Sequence, residues 1–403
     1  MVQFRTNTGH FSNMRHSKLV ILSDLIFLVS SLVVISPLFF RNAFAIRIYT
    51  YFHAGCTVFA SLCLTELIFA SLLTLYRVAH IGTSRLAQCE SQHIVLIPHF
   101  QEPIEILRRS IESVVRDRST RLLIVLGGEN TDAEGIRRAE TLRAEFASDT
   151  VQVLCTVHDP VGPSVLRGKH SNLDHMYRNI KTKAESGAFV TIMDADSVMP
   201  MDYFAAVEVD AATCANPNCV LWQAPIIVEN IASTPPSVRH SVNLRTMWQM
   251  ALVSTCCARM TLSTYTLRWS LLEALDGWDA DHIDEDYNLR IRAARLCRAD
   301  VRPIYRAIRS ASIDCNTNIG TICATIVQLC RHGIGLHTLH VHMISSMWCK
   351  SPAVMLRLVT RDILLQLVAP ISMLNGLFWM PLFMKESLLG FYCSVGLVLV
   401  SIF

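Results

Sequence analysis

The stretch Ser91–Arg118, SQHIVLIPHFQEPIEILRRSIESVVRDR, decides the fold. Its first part, HIVLIPHF, is a short apolar run of the kind that forms a buried strand. Its second part places four apolar residues at helical spacing: Leu107, Ile111, Val114 and Val115. A strand followed directly by an amphipathic helix is the repeating unit of an α/β domain. We therefore expect the same unit to recur along the chain.

The following sequence repeats this unit. Three more apolar runs predict strands: RLLIVLGG (121–128), VQVLCTV (151–157) and AFVTIMD (188–194). Between them, DAEGIRRAETLRAEFA (132–147) and NLDHMYRNIK (172–181) have the spacing of helices. Alternating strands and helices predict a parallel, doubly wound sheet. Such sheets bind ligands beyond the carboxyl ends of their strands, which is where the polar clusters of this sequence stand.

The composition indicates a membrane protein with a sizeable soluble part. Of the 403 residues, 51% are hydrophobic and only 17% are charged, and the mean hydropathy is +0.35. The formal net charge of +3 gives no indication of a nucleic-acid partner. The 14 cysteines include no Cys-x-x-Cys pair, so we expect free thiols in a reducing compartment. Four apolar runs have the length of a membrane-spanning helix: 19–40, about 55–75, 362–383 and 387–403.

These runs predict four regions of the chain. Arg5, Arg15 and Lys18 precede the first span and favour a cytosolic N-terminus. The protein is then an integral, multi-pass membrane protein whose middle domain faces the cytosol. The predicted regions are a cytosolic tail (1–18), two spans (19–77), the cytosolic domain (78–350) and an interfacial helix with about two spans (351–403). Both a native C-terminus and a truncated membrane region are compatible with the apolar ending LVLVSIF.

Two carboxylates inside the predicted spans, Asp24 and Glu66, raise the alternative of a transporter. The competing explanation is that Asp24 lies near the end of a span and that Glu66 faces a neighbouring helix or the interface. A transport function does not explain the α/β domain.

The fourth predicted strand ends at Asp194 and Asp196. Two carboxylates this close repel each other unless a cation lies between them. Their hard oxygen atoms suit Mg²⁺ or Mn²⁺, which bind through one or two carboxylates together with substrate phosphates. The alternative for an isolated Asp-Ala-Asp is a solvated strand end.

Two further polar clusters follow along the chain. In DGWDADHIDEDYNLRIRAA (276–294), Asp284, Glu285 and Asp286 open a predicted helix. They are either favourable charges at a helix N-terminus or the source of a general base. In QLCRHGIG (328–335), Arg331 is either an ordinary surface arginine or a cation for a phosphate leaving group.

The order of these clusters resembles a known family. In chain order, the segments PHFQE, RGKHSNLDH, DAD, WQAP, GW, DED and QLCRH lie between residues 92 and 335. They are similar to the motifs of the inverting, membrane-bound family 2 glycosyltransferases: cellulose, chitin and hyaluronan synthases and their relatives, including ceramide glucosyltransferase. The resemblance implies an α/β GT-A domain (nucleotide-diphospho-sugar transferase, Rossmann-like) inserted between transmembrane helices.

The resemblance also implies roles for individual residues. In the donor site, Glu102 would contact the base or ribose, Lys169 the base or phosphates, and Asp194 the ribose or the metal. Asp196 would bind Mg²⁺ or Mn²⁺. Asp286, next to Glu285, would be the general base. Arg331, with Gln328 nearby, would neutralise the diphosphate, and His332 would lie in the acceptor site.

This sequence departs from the family pattern at two places. Gly127 and Gly128 stand where an aspartate pair is expected, with Glu129 and Asp132 further on, and His332 replaces a tryptophan. The first difference concerns the part of the site expected to recognise the base, and the second concerns the acceptor site.

The expected reaction transfers a sugar from a nucleotide donor, a UDP-sugar by resemblance, to a hydroxyl at the membrane. The helices on both sides of the domain favour a growing polysaccharide as the acceptor. Two alternatives remain: a glycolipid-forming enzyme similar to ceramide glucosyltransferase, and a catalytically inactive relative that acts as a scaffold.

Overall fold

A computed structural model describes most of the predicted α/β domain. The chain divides into two compact units, of which one, Leu67–Leu336, contains this domain. The other unit, Met1–Glu66 with His337–Phe403, lies almost wholly outside the described residues. The described residues are 62, 65–80, 90–116, 121–160, 167–254, 260–280, 282, 284–313, 315 and 317–328.

The strands of the described residues form two sheets. Seven strands make the larger sheet, in the order β3-β2-β1-β4-β7-β5-β8, and β6 pairs with β9 in the smaller one. The strands are β1 Gln92–Pro98, β2 Arg121–Glu129, β3 Val151–His158, β4 Phe189–Ile192, β5 Val220–Gln223, β6 Ile226–Val228, β7 Tyr265–Arg268, β8 Asp300–Pro303 and β9 Ile308–Ser310. The first four confirm the predicted strands.

Helices connect most of these strands. In chain order, they are α1 65–80, α2 Ile104–Val115, α3 Ala133–Phe146, α4 Lys169–Ile180, α5 Tyr203–Thr213, α6 Pro236–Ser254, α7 Trp269–Ala274, α8 Glu285–Cys297 and α9 318–328. The predicted helices correspond to α2, α3, α4 and α8. Helix α4 begins three residues earlier than predicted, at Lys169, which places this lysine in its first turn.

The four predicted strands are parallel as expected, and the sheet also contains an antiparallel strand that was not predicted. Strands β1, β2, β3 and β4 are parallel, but β7 runs antiparallel to both of its neighbours, β4 and β5. The chain reaches β7 through Ser263, whose carbonyl contacts Lys169 at the carboxyl edge of the parallel strands. A strand that starts at this edge can only run back across the sheet, so β7 is antiparallel.

Helices cover both faces of the larger sheet. Side chains of β1 alternate between the two cores: Val95 and Ile97 point to one face, and Ile94 and Leu96 to the other. The first face packs against α2, α3 and α5, and the second against α4, α7 and α8. Three of the four residues predicted to face inward from α2 are fully buried: Leu107, Ile111 and Val114. This two-faced core confirms a Rossmann-like α/β arrangement.

Helix α1 is joined to α6 by hydroxyl groups. Ser71 Oγ donates a hydrogen bond to Met247 O at 2.7 Å, and Thr74 Oγ1 donates one to Met250 O at 2.9 Å. Both hydroxyl-bearing residues are buried. The opposite face of α1 carries large apolar side chains, such as Phe69, that are exposed. The two helices are therefore fixed in register through a polar contact.

The predicted membrane spans are mostly beyond the described part of the chain. The spans 19–40, 362–383 and 387–403 lie outside it, as does Asp24, and only the second half of 55–75 falls in α1. None of the helices that the structure describes combines the length and apolar character needed to cross a membrane.

Candidate active site

The side chain of Lys169 joins two acidic motifs that are far apart in the sequence. Its Nζ lies 2.6 Å from Asp194 Oδ1 and 2.6 Å from Glu285 Oε1. The same nitrogen donates a hydrogen bond to Ser263 O at 3.2 Å. Lys169 begins α4, Asp194 follows β4, and Glu285 begins α8. The fold therefore brings the Gly-Lys, Asp-Ala-Asp and Asp-Glu-Asp segments to one place at the carboxyl edge of the sheet.

The ammonium of Lys169 is held in its charged form. Burial by itself would lower the pKa of Lys169, but the charges of Asp194 and Glu285 outweigh burial. The pKa of Lys169 therefore lies well above its ordinary value. A quarter of its side chain (25%) remains exposed, so the ion pairs are open to the site.

A buried glutamine supports the loop that faces Lys169. Gln223 Oε1 accepts a hydrogen bond from Leu262 N at 2.7 Å, and Gln223 Nε2 donates one to Thr264 O at 3.0 Å. Ser263, whose carbonyl accepts from Lys169, lies between these two residues. The glutamine of the WQAP segment thus has a positioning role that the sequence did not reveal.

Asp286 lies beside the Glu285 that contacts Lys169. It stands in the first turn of α8, and its Oδ1 accepts a hydrogen bond from Tyr287 N at 2.8 Å. Burial raises the pKa of Asp286 well above its ordinary value, and the charge of Glu285 adds to the rise against the opposing effect of Lys169. A carboxyl group with a raised pKa is suited to accept a proton near neutral pH.

The second carboxylate of the Asp-Ala-Asp segment has a different environment from the first. Burial, followed by the charge of Asp194, raises the pKa of Asp196 to about 6. Asp196 Oδ2 lies 3.5 Å from Ser310 Oγ. Within the described ranges, Asp194 is paired with Lys169, whereas Asp196 forms no ion pair. The charge of Asp196 is thus available to a cation.

The pair Asp194 and Asp196 fits a hard divalent cation only in part. Its carboxylate oxygens are of the type that Mg²⁺ and Mn²⁺ prefer. However, no group of three or more His, Cys, Asp or Glu side chains that could hold a metal ion occurs in the described part of the chain. Such a cation would therefore need further ligands, which the phosphate oxygens of a donor can supply.

Glu102 belongs to the same acidic edge. Its carboxylate accepts a hydrogen bond from the backbone N of Phe100. Burial raises the pKa of Glu102, and the charges of Asp196 and Asp132 act in the same direction. Because these charges act on one another, Glu102 lies within electrostatic reach of Asp196 at the predicted donor site.

Strand β2 ends at an acidic residue, Glu129. The prediction ended this strand at Gly128, but β2 extends to Glu129, which is buried. His158 Nδ1 lies 2.9 Å from Glu129 Oε2, and Asn172 Nδ2 donates to Glu129 Oε1 at 3.1 Å. The glycine pair therefore lies inside the strand. Glu129 could have been identified as the last residue of this strand, because it directly follows two glycines that can adopt an extended conformation.

Close packing explains the two glycines of β2. A Cβ on Gly127 would lie 2.4 Å from Met176 Sδ and 2.5 Å from Asn172 Oδ1, both on α4. A Cβ on Gly128 would lie 3.1 Å from His99 Cε1. Helix α4, which carries Lys169, can approach the sheet this closely only because the strand has no side chain at Gly127.

The last predicted segment is only partly described. Gln328, on α9, accepts a hydrogen bond from Arg245 NH1 at 2.9 Å. Arg331 and His332 lie outside the described residues. Arg245 is on α6. Burial lowers its pKa, and the charge of Asp196 acts in the opposite direction. No sequence motif points to Arg245, because it is a single arginine within a long helix.

Comparisons with known proteins give a family match over half of the chain and one similar solved structure. The model of the family described as glycosyl transferase family group 2 matches residues 189–395, just over half of the chain. No curated protein matches the chain. Among solved structures, the mannosyltransferase PcManGT from Pyrobaculum calidifontis, in complex with GDP-Man and Mn²⁺, is similar, with 13% identity and a TM-score of 0.39. The similarity covers 86% of this chain and 98% of that one.

The match to the family begins at β4 and includes the Asp-Ala-Asp segment, the acidic start of α8 and Gln328. The prediction of a nucleotide-sugar-dependent enzyme is thereby confirmed. On the strength of this match, the chain belongs to glycosyl transferase family group 2.

Proposed function

We propose that this protein transfers a sugar, with inversion, from a nucleotide-diphosphate donor to a hydroxyl acceptor. The observation that carries the proposal is the pair of 2.6 Å contacts from Lys169 to Asp194 and to Glu285. These contacts support the proposal because they join Asp194 to Glu285, the chain neighbour of the proposed base Asp286, through a single lysine. A displacement reaction needs these two functions on opposite sides of one sugar.

On the donor side, Asp194 and Asp196 would hold Mg²⁺ or Mn²⁺ together with the diphosphate. When bound, the cation neutralises the charge that develops on the leaving diphosphate. Glu102 lies at the same edge, where we assign it to the base or ribose. Because Lys169 neutralises Asp194, the remaining negative charge for the cation is mainly that of Asp196.

On the acceptor side, Asp286 is the proposed general base. Its carboxylate takes the proton of the acceptor hydroxyl while that oxygen bonds to the anomeric carbon of the sugar. The bond from this carbon to the diphosphate breaks, and the diphosphate leaves with the electron pair. Attack from the face opposite the leaving group inverts the anomeric configuration. Burial raises the pKa of Asp286, and the charge of Glu285, which is held by Lys169, adds to the rise.

The remaining motif residues complete the proposal. Arg331 is assigned to the leaving diphosphate, with Gln328 beside it, and His332 is assigned to the acceptor site. A UDP-sugar is the proposed donor, by family resemblance. The buried Glu129 is the last residue of β2, and the end of this strand is where we expect the base of the donor to bind.

We place the protein in a membrane, with the domain facing the cytosol and a growing polysaccharide as the acceptor. The support is the four apolar runs, the basic residues before the first run, and the mean hydropathy of +0.35. A lipid acceptor is the alternative, and the product of the reaction distinguishes the two.

In the decisive experiment, membranes that contain the protein are incubated with radiolabelled nucleotide sugars, in the presence and in the absence of Mn²⁺. The matched variants are Asp286→Asn and Asp149→Asn, whose side chain is exposed. We expect Mn²⁺-dependent transfer that Asp286→Asn reduces by about 10²- to 10⁴-fold and Asp149→Asn leaves unchanged. Label in lipid extract identifies a lipid acceptor, and label in insoluble product identifies a polymer. A folded wild-type protein that transfers no sugar would refute the proposal in favour of an inactive scaffold.

A further inference from the structure

The ammonium of Lys169 is already engaged by other groups of the protein. Its Nζ donates hydrogen bonds to Asp194 Oδ1 and to the carbonyl of Ser263, and it forms an ion pair with Glu285 at 2.6 Å. An ammonium has three N–H donors, so at most one is left for a further acceptor. The two carboxylates also compensate its single positive charge. A leaving diphosphate gains negative charge as its bond to the sugar breaks, so the site needs a further cation.

Arg245 has the charge and the spare donors that this task requires. Its NH1 donates to Gln328 Oε1 at 2.9 Å, which engages one of the five N–H donors of a guanidinium. Among the described residues, no carboxylate forms an ion pair with it. A partly buried arginine without a fixed counter-ion is costly, and an anionic ligand would offset that cost.

The surroundings of Arg245 indicate where this ligand lies. The charge of Asp196 acts on the guanidinium, so Arg245 is within electrostatic reach of the proposed cation site. Its hydrogen-bond partner, Gln328, belongs to the segment that also contains Arg331. Arg245 thus has a direct hydrogen bond to Gln328 and an electrostatic interaction with Asp196, two residues that are assigned to the binding of the diphosphate.

We propose that Arg245 binds the diphosphate of the donor, with Gln328 fixing the direction of its guanidinium. The inference rests on the proposed function and adds a residue from α6 that belongs to none of the sequence motifs. The planar fork of arginine matches the oxygens of a phosphate. Because the amide of Gln328 is uncharged, it orients the guanidinium without neutralising it.

The test compares the affinity of the full-length protein for UDP and GDP with its affinity for UMP and GMP, in the presence of Mn²⁺. We expect Arg245→Gln to weaken binding of the diphosphate about tenfold or more, and binding of the monophosphate much less. Arg245→Lys keeps the charge and should restore part of the affinity. Gln328→Glu supplies a carboxylate at the same distance and should weaken diphosphate binding as Arg245→Gln does. The control is Arg295→Gln, an exposed arginine near the end of α8.

The outcomes separate this inference from the proposed function. If Arg245→Gln binds the diphosphate as the wild type does, or loses di- and monophosphate affinity equally, Arg245 is not a diphosphate ligand. If the Arg245→Gln variant binds Mn²⁺ more weakly in the absence of nucleotide, the substitution acts through Asp196, and the inference is also overturned. A wild type that binds none of these nucleotides overturns the proposed function as well. Thermal unfolding of each variant shows that a loss of affinity is not a loss of fold.

Discussion

The Nζ of Lys169 and the Oε1 of Glu285 are 2.6 Å apart, and the same Nζ is 2.6 Å from Asp194. One cation is thus shared by the end of β4 and the start of α8. Removing it would leave two partly buried carboxylates without their partner, which is more costly than losing an exposed ion pair. This shared ammonium directly links the proposed donor and base sites.

Replacement of Lys169 by methionine should therefore impair both binding and transfer. We expect Lys169→Met to lower sugar transfer by about 10²-fold or more, because the acidic residues lose their common cation. Lys183→Met, at an exposed lysine beyond the end of α4, is the control and should retain activity. Transfer rates of the two variants, measured with the same donor, check the prediction. Equal rates in both would show that the ion pairs are dispensable.

Replacement of Asp196 by asparagine should remove the dependence of donor binding on a divalent cation. The neutral amide keeps the shape of the side chain but not the charge that Mg²⁺ or Mn²⁺ requires. We expect Mn²⁺ to tighten nucleotide-diphosphate binding by the wild type and to have little effect on Asp196→Asn. Titration calorimetry with and without Mn²⁺ measures this. An undiminished effect of Mn²⁺ on the variant would place the cation elsewhere.

The rate of transfer should rise with pH through the raised pKa of Asp286. A general base acts when deprotonated, so activity falls about tenfold for each pH unit below that pKa. The charge of Glu285 helps to raise this pKa. We therefore expect Glu285→Gln to move the rising limb of the kcat/KM profile to lower pH. A limb that stays in place or moves to higher pH would contradict the role of Glu285.

Replacement of Gly127 by alanine should displace α4. The new Cβ would lie 2.4 Å from Met176 Sδ and 2.5 Å from Asn172 Oδ1, so these two buried side chains of α4 must move, and we expect the helix to follow them. We expect a loss of about 1–3 kcal/mol in stability, as for other overpacked cores, together with reduced transfer. Gly187→Ala is a matched control, because a Cβ there meets nothing within 4 Å. Thermal unfolding and transfer assays compare the two, and equal behaviour would refute the packing account of the glycine pair.

Glu208, at the opposite edge of the sheet, gives a prediction on stability and pH. Burial alone would raise its pKa, but hydrogen bonds from His93 and from two backbone N–H groups outweigh burial and lower the pKa to about 2. A lowered pKa stabilises the fold above the ordinary pKa of glutamic acid, and this contribution is lost as the pH falls from about 4.5 toward 2.

Glu208→Gln should therefore lower stability by about 2 kcal/mol at pH 7. The difference in Tm from the wild type should shrink as the pH is lowered toward 3. Thermal unfolding over this pH range measures both effects. A difference in Tm that does not depend on pH would mean that the carboxylate charge is not responsible.

The sequence predicted the alternating strands and helices because each element has its own period of apolar residues. It did not predict the direction of β7, because a four-residue strand carries no information about the edge at which it starts. Strand β2 ends one residue beyond the predicted end, at Glu129, and the close approach of Met176 and Asn172 to Gly127 inside the strand depends on tertiary packing.

The candidate site was predictable only where residues form a motif. Lys169, Asp194 and Glu285 stood out by their spacing and order, but the ion pairs that join them depend on tertiary packing. Arg245 has no such signal, since it comes near Asp196 only through the position of α6. A residue whose role depends on the placement of a whole helix cannot be found from local sequence.

The hydrogen bonds from Ser71 and Thr74 to the carbonyls of α6 have a consequence for the position of Arg245. They attach α6 to α1 at two successive points, so neither helix can slide past the other by one residue, about 1.5 Å, without breaking both bonds. A displacement of α1 along its axis would thus act on the part of α6 that carries Arg245. Two hydroxyl groups on a helix outside the chemistry help to set where the guanidinium stands.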